Sequence, residues 1–263
     1  MMTIHNTREE IANATPAIAV APFASIHQHG PHLPLDTDAI ILDAVSRGMA
    51  EKCREEVYLL PPIPAGQCPR YLDFGGTVSV HTDTLYAIVS DVVWSLRQHD
   101  IRKIVVINSL GQISGNSSLP AENMPMKVAL RDMNIDHPEA DHIWLQPAVA
   151  AQQTLREIFP GWQDDIVGGD FETSCIMHLA PDMVRGSAQD VVPEIMDSAM
   201  LTAVPFRKIS PTGVWGHPTR ATAEKGRQAV AAMIDATLAY MERTFDYLSQ
   251  IKKRDRATTP PHH

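Results

Sequence analysis

Length, composition and charge limit the classes of protein to which this chain of 263 residues can belong. Its residues are 44% hydrophobic and 20% charged, which is the composition of a globular protein with a sizeable core. The formal charge of -9 argues against a general affinity for nucleic acid or an anionic membrane, and favours small neutral or cationic ligands. Because no apolar run approaches the roughly 20 residues that span a bilayer, and the N-terminus lacks signal-peptide features, we expect a cytoplasmic protein.

The first part of the chain alternates strand-like and helix-like segments. An apolar run at 17–24 is typical of a buried parallel strand, a helical pattern starts at Thr37, and a second strand pattern covers 57–63. A long loop with several glycines and prolines follows. Arg70 and Tyr71 lie in this loop, where they either shape access to a pocket or belong to a solvated surface.

The same alternation continues to the end of the chain. Apolar residues recur at helical spacing from Leu85 to Leu96, and "KIVVIN" at 103–108 predicts a strand. Further helices are predicted in three segments, 147–159, 169–180 and 224–248. The pattern predicts one α/β domain over 1–250, with a mainly parallel sheet and helices on both faces. The charged, proline-containing segment 251–263 is predicted to be disordered.

The stretch "SIHQHGPHLPLDTD" (25–38) concentrates metal-ligating residue types after the first buried strand. His27 and His29 follow that strand, and Asp38 opens the next helix. Ligands of open α/β sheets bind beyond the carboxyl ends of the strands, and residues two apart in an extended chain point to the same side. Two imidazoles and a carboxylate suit a divalent zinc, iron or manganese ion, so the sequence predicts a metal site here.

Structural explanations for the same residues stay open from the sequence alone. Asp36, Thr37 or Asp38 is a suitable cap for the helix that begins there. For His32, between two stiff loop residues, a hydrogen bond to the backbone is favoured over a role as a metal ligand.

Five segments in order resemble the creatininase (creatinine amidohydrolase) family. "HQHGPHLPLDTD" is similar to its signature E-x-H-G-x-H-L-P-x-x-T-D, and "GGDFETS" to its H-A-G-E-x-E-T-S block. The other matching segments are "GGTVSVHTDTL", "KIVVINSLGQ" and "GVWGHPTRATAEKG". The resemblance implies a three-layer α/β/α sandwich, a homo-oligomer that is usually a hexamer, and metal-dependent hydrolysis of small cyclic or formyl amides.

The chain departs from the family pattern at positions that carry function. His29, Asp38 and Glu172 are retained, but other positions differ from the family residue. Where the family has a glutamate, this chain has His27, Gln112 and Asp170. Where the family has a histidine, this chain has Leu110 and Val167, and the histidine at the position of Val167 contacts substrate in the family. Two divalent ions at about 3.5 Å need several anionic ligands to offset their repulsion, so the reduced carboxylate set predicts one ion per chain.

The resemblance and the residues together assign candidate roles. His27, His29 and Asp38 are the predicted metal ligands, with Gln112 as a further candidate. Glu172 or Asp170 is predicted to move the proton during catalysis, although an acidic residue in a first helical turn also favours the helix dipole. His217 and Trp215 are candidates for the substrate pocket.

Three functional hypotheses follow. The leading one is a metal-dependent hydrolase of a small cyclic amide or a related C–N bond in a small-molecule substrate other than creatinine. A catalytically inactive binding or regulatory protein is favoured by Leu110 and Val167. A mononuclear iron enzyme of redox type is compatible with two histidines, one carboxylate and open positions.

Overall fold

The computed structural model describes residues 1–109, 123–194 and 204–258. Its strands are β1 (Met2–Thr3), β2 (Ile18–Phe23), β3 (Val57–Leu59), β4 (Lys103–Asn108) and β5 (Asp141–Leu145). Its α-helices are α1 (Arg8–Ala14), α2 (Thr37–Lys52), α3 (Thr82–Arg97), α4 (Met124–Asp136), α5 (Pro147–Ala150), α6 (Gln152–Ile158), α7 (Asp170–Leu179), α8 (Phe206–Ile209) and α9 (Ala223–Thr258).

The strands form one parallel sheet in the order β1-β3-β2-β4-β5. The central strand β2 pairs with β4 from Ile18 opposite Lys103 to Phe23 opposite Asn108, and all six of its residues are buried. A strand that is buried on both faces needs a continuous apolar sequence, which is the pattern of this segment. The carboxyl ends of β2 and β4 therefore lie side by side.

Alternate residues of each strand point to opposite layers. In β2, Ile18 and Val20 pack with residues of α2 and α9, whereas Ala19 and Ala21 pack with residues of α3 and α4. The sheet thus has helices on both faces, and the α/β/α sandwich predicted from the sequence is confirmed. No helix in the described part of the chain is long and apolar enough to cross a membrane.

The strands and long helices with strong patterns are found at the predicted places. The predicted strand 103–108 coincides with β4, and the apolar stripe of α3 supplies its buried residues Leu85, Val89, Val93 and Leu96. The predicted helix 147–159 is divided at Ala151 into α5 and α6.

The last described helix extends beyond residue 250. Helix α9 runs to Thr258, so it continues into the segment 251–263 for which disorder is predicted. Residues 259–263 lie outside the described part of the chain. The single-domain assignment over 1–250 stays a prediction.

A buried histidine joins β5 to α4. Nδ1 of His142 lies 2.9 Å from Oδ1 of Asn134, and the backbone N–H and C=O of His142 also bond to the Asn134 amide. Burial, together with the positive charges of Arg97 and His137, lowers the pKa of His142 to about 4. The ring is therefore neutral in the folded protein at neutral pH.

His142 should make the fold sensitive to acid. The folded pKa lies below the ordinary value of 6.5, so the unfolded chain binds more protons between pH 6.5 and about 4, and stability is lost as pH falls through this window. We expect urea titrations of the wild type to show that the free energy of unfolding falls by up to about 1.4 kcal/mol per pH unit. The loss should be smaller in His142→Gln. Parallel stability–pH curves for the two proteins would contradict this assignment.

Candidate metal centre

Three predicted ligands meet at the carboxyl edge of the sheet. His27 and His29 lie in the loop after β2, and Asp38 is the second residue of α2. All three residues are buried, with 3%, 0% and 6% of their surface exposed. One potential ligand atom from each lies within 4.8 Å of the other two. Within the described residues this is the one such group of histidine, cysteine and acidic side chains.

The second nitrogen of each imidazole is held by an acceptor. Nδ1 of His27 donates to the carbonyl oxygen of Gln28 at 2.7 Å, and Nδ1 of His29 donates to Oε2 of Glu172 at 2.9 Å. In a neutral imidazole this leaves the lone pair on Nε2. Both rings therefore have the tautomer that a metal ligand needs.

The free atoms of the group fit a cation. Nε2 of His29 and Oδ2 of Asp38 are buried and have no hydrogen-bond partner, and Nε2 of His27 lies 3.2 Å from that carboxylate oxygen. Buried polar atoms without partners are costly, so three converging acceptor atoms are suited to binding a positive charge. Borderline divalent ions accept this combination of imidazole nitrogen and carboxylate oxygen.

Charges within the site oppose the effect of burial on the pKa values of Asp38 and His29. Burial by itself would raise the pKa of Asp38, but the adjacent His27 and His29 rings outweigh it and lower this pKa. Burial would likewise lower the pKa of His29, and the carboxylates of Glu172 and Asp38 outweigh it and raise that pKa. Asp38 therefore carries its negative charge into the centre and is not explained by capping; Asp36 occupies the N-cap position.

Glu172 lies behind the ligand His29. Its Oε2 accepts from Nδ1 of His29 at 2.9 Å and from the backbone N–H of Gly168 at 2.6 Å. A carboxylate that binds the outer nitrogen of a metal-ligating histidine fixes the orientation of the ring. The geometry thus suits Glu172 to positioning His29, and its predicted role in proton transfer stays a prediction.

The approach of α7 to the histidine loop requires a glycine. Gly168 has φ +63°, and a β-carbon there would lie 2.7 Å from the backbone oxygen of His29. A residue with a side chain is strained in this conformation and collides with the loop. Glycine at this position lets Glu172 reach the histidine.

Asp170, the other residue predicted to move a proton, contacts side chains outside the ligand group. Its Oδ2 forms an ion pair of 2.7 Å with Nζ of Lys225, and its Oδ1 accepts from the Ser174 hydroxyl at 3.1 Å. Both oxygens thus join α7 to the start of α9. These contacts give Asp170 a structural role, and its predicted catalytic role stays a prediction.

His32 stays outside the ligand group. Its Nε2 lies 2.8 Å from the hydroxyl of Thr173, so its partner is a side chain and the backbone bond expected from the sequence is wrong. Burial lowers the pKa of this imidazole.

The two predicted pocket residues lie in different surroundings. Trp215 is buried in an apolar cluster with Cys68, Tyr71, Val167 and Phe206. His217 is partly exposed, and its Nδ1 lies 3.3 Å from Oδ2 of Asp190. Neither contact brings these side chains to the ligand atoms. Gln112 and Leu110 fall outside the described residues.

Two residues near the centre were misjudged or missed from the sequence. Tyr71 is only 5% exposed, and its ring stacks on His27, so the solvated-loop interpretation is wrong for this residue. Asp165 is buried before α7, and its Oδ2 accepts from the backbone N–H of Phe171 at 2.8 Å. A single aspartate in a polar loop gives no sequence signal of burial.

Burial raises the pKa of Asp165 to about 8, and the charges of Glu172 and Asp170 reinforce the effect against the hydrogen bond from Phe171. The carboxyl group is therefore largely protonated at neutral pH. This is the expected response of an acid that is buried close to two other carboxylates.

The fold and the site together define an α/β/α protein with a buried His–His–Asp centre suited to a divalent cation. The chain belongs to the creatininase family, whose model, described as creatinine amidohydrolase, matches residues 3–241.

Relatives within the family have different names. A mycofactocin precursor peptide peptidase of Mycobacterium ulcerans (strain Agy99) is 30% identical over 255 residues, which cover 90% of this chain and 89% of the relative. A creatinine amidohydrolase of Pseudomonas putida is 27% identical over 179 residues, covering 64% and 66% of the two chains.

Solved structures of creatininases share the fold. A putative creatinine amidohydrolase from Bacteroides fragilis NCTC 9343 superposes with a TM-score of 0.74 at 20% identity, covering 100% of this chain and 98% of the other. A structure described as "Creatininase Mn" gives 0.73 at 20% identity, covering 93% and 98%. A mutant creatininase described as "Zn-Zn type" gives 0.72 at 21% identity, covering 92% and 98%.

Replacing Glu172 by glutamine should weaken metal binding. The glutamine side chain keeps an acceptor for the peptide N–H but loses the negative charge that orients and polarises His29. Loss of such a partner typically costs 10–100-fold in metal affinity. We expect Glu172→Gln to show this loss in competition titrations with a chelator, whereas Asp170→Asn retains the wild-type affinity. Equal affinities of Glu172→Gln and the wild type would refute the positioning role.

Asp165 should destabilise the fold progressively as pH rises. Its folded pKa is above the ordinary 3.8, so the folded state binds more protons between about pH 4 and pH 8, and stability declines across this window. Asp165→Asn keeps the acceptor for Phe171 and does not titrate. The free energy of unfolding of this variant, measured with urea, should therefore rise relative to that of the wild type by up to about 1.4 kcal/mol per pH unit across this window. A stability difference that is constant with pH would exclude the shifted carboxyl group.

Proposed function

We propose that this protein is a metal-dependent hydrolase that cleaves the amide C–N bond of a small substrate at the His27–His29–Asp38 centre, with one divalent ion per chain. The observation that carries the proposal is the convergence of three buried acceptor atoms, two of which have no partner. Membership of the creatininase family supports amide hydrolysis as the reaction.

A divalent cation in such a site supplies Lewis acidity, which polarises an amide carbonyl and makes a water molecule acidic enough to attack at neutral pH. His27 and His29 would hold it through Nε2, and Asp38 through its carboxylate. Glu172 fixes the ring of His29, and the carbonyl of Gln28 fixes the ring of His27. The low exposure of the ligands keeps bulk water from competing with the substrate.

The charge of the ligand set supports one ion rather than two. Asp38 is the single carboxylate among the three converging side chains, since Glu172 is bonded to His29 and Gly168. Two closely spaced dications would repel each other strongly without further anionic ligands. The names of the manganese and zinc creatininases favour these metals over iron, and thus hydrolysis over redox chemistry.

A compact substrate agrees with the burial of the centre. At most 6% of the surface of each ligand residue is exposed, which leaves little room for a long chain to pass through. A small cyclic amide presents its scissile bond on a compact ring. We therefore retain the cyclic amide or a related C–N bond as the first substrate class.

A peptide is the second candidate substrate. The relatives that are 30% identical and span most of this chain are described as peptidases of a precursor peptide. The relative described as a creatinine amidohydrolase aligns over a shorter part of the chain. This difference in coverage is the observation that favours a peptide bond.

The first test is elemental analysis of the purified, untagged protein, followed by hydrolysis assays with the metal that it contains. We expect about one zinc or manganese per chain, which is lost in His29→Ala and retained in the neighbouring His32→Gln. Activity is then measured on five- and six-membered lactams, cyclic ureides, creatinine and short C-terminal peptide amides, with His29→Ala as the inactive control.

Each outcome selects among the hypotheses. Metal-dependent cleavage of cyclic substrates supports the first class, and cleavage of the peptides alone replaces it by the second. About two metals per chain would refute the one-ion assignment. A protein that takes up no zinc, manganese or iron would overturn the enzymatic proposal in favour of a binding protein, and oxygen-sensitive bound iron would favour a redox enzyme.

A further inference from the structure

One aromatic residue outside the ligand set contacts the metal centre directly. The ring of Tyr71 stacks on the imidazole of His27, with centroids 4.6 Å apart and an angle of 16° between the planes. The ring of His29 also stacks on His27, with centroids 4.1 Å apart and an angle of 24°. A ring face accommodates one parallel ring at such distances, so the His27 imidazole is enclosed between His29 and Tyr71.

This enclosure matters because His27 occupies an altered position. The resemblance to the family implies a glutamate there, whereas this chain has an imidazole. A carboxylate has two oxygens and can bind a cation in several orientations. The lone pair of Nε2 points along one direction in the plane of the ring, so rotation of the ring moves the donor away from the cation.

The edge and the faces of His27 are held by different groups. The hydrogen bond from Nδ1 to the Gln28 carbonyl fixes one edge of the ring. The ring could still rotate about the direction of this hydrogen bond, and the flat surface of Tyr71 opposes that rotation. A ring face also carries partial negative charge, which favours an imidazole that shares the positive charge of a bound cation.

Tyr71 is itself held by the apolar cluster. Its ring meets Phe206 edge to face, with centroids 5.0 Å apart and an angle of 78°. Phe206 stacks in turn against Trp215 at 6.2 Å. The position of Tyr71 is thus set by packing, and through Phe206 and Tyr71 the ring of Trp215 is connected indirectly to the centre.

We propose that Tyr71 is a positioning residue that holds the His27 imidazole in the plane in which Nε2 reaches the metal position. This inference rests on the proposed metal centre, and it identifies the aromatic wall as the feature that makes histidine effective where the family pattern has glutamate. The ring of Tyr71 is the acting group, and its hydroxyl is not required for this role.

The test compares zinc and manganese affinities of variants by competition with a chelator. Tyr71→Phe keeps the ring, whereas Tyr71→Leu and Tyr71→Met remove it while preserving an apolar side chain. Phe206→Leu is the matched control, because it removes an aromatic ring from the same cluster without touching His27. Thermal unfolding of each metal-free variant measures the loss of packing separately.

We expect Tyr71→Phe to bind both metals within about twofold of the wild type. Tyr71→Leu and Tyr71→Met should bind about 10-fold or more weakly, which is the lower range for losing a group that orients a ligand. Phe206→Leu should have a smaller effect on affinity despite its loss of thermal stability. Wild-type affinity in the ring-deleted variants, or an equal loss in Phe206→Leu, would overturn the proposal.

Repeating the Tyr71 substitution in a His27→Glu variant separates an effect on ligand position from a general effect on the fold. In His27→Glu the ligand no longer needs a fixed ring plane, so adding Tyr71→Leu should leave its metal affinity unchanged. An equal loss on adding Tyr71→Leu to the wild type and to His27→Glu would show that Tyr71 acts on the fold alone. If the wild type binds no metal, the proposed function itself fails, whereas metal binding that is independent of Tyr71 refutes only the positioning role.

Discussion

The contact between His29 and Glu172 is the interaction on which the candidate centre depends, because it joins two parts of the chain that are far apart in sequence. The histidine lies in the loop after the central strand, and the glutamate lies in the first turn of α7. Their approach needs Gly168, where any side chain would meet the backbone of the histidine loop. The same contact selects the tautomer of His29 and leaves its Nε2 facing Asp38.

The surroundings of α7 show how the protein distributes negative charge. Three carboxyl groups lie at or before its first turn, and the negative charge of each is accommodated in a different way. Glu172 binds His29, Asp170 pairs with Lys225, and Asp165 takes up a proton because burial and its neighbours oppose ionisation. The start of a helix favours negative charge, but one buried helix N-terminus stabilises only a limited number of ionised carboxylates. Among these carboxylates and that of Asp38, the carboxylate of Asp38 is the one that converges with the two imidazoles.

The departures from the family pattern have local compensations. The imidazole of His27 replaces an anionic ligand with a neutral one, and the structure encloses its ring between two others. Val167 stands where the pattern has a histidine, and it is buried with Tyr71, Phe206 and Trp215. A position that is polar in the family pattern thus belongs to the apolar wall behind the altered ligand, which links the two substitutions physically.

Much of this protein was determined by local sequence patterns. The apolar run of β2 and β4, and the stripe of α3, specify buried strands and an amphipathic helix because each pattern matches the period of its element. Short β5 and the weakly patterned α4 were not predicted, since both depend on packing with distant parts of the chain. The close spacing of His27, His29 and Asp38 made the ligand group visible in the sequence for the same local reason.

Only the tertiary structure decided what surrounds those ligands. Glu172, Tyr71 and Asp165 are separated from the histidine loop by long stretches of chain, and no periodicity relates them to it. Their roles arise from the parallel pairing of the strands and from the close approach at Gly168. The sequence by itself therefore determined which side chains are able to bind a metal, because ligand chemistry belongs to the residue. Folding decided which of the nearby acids and rings act on those ligands, because charge, burial and stacking depend on distances through space.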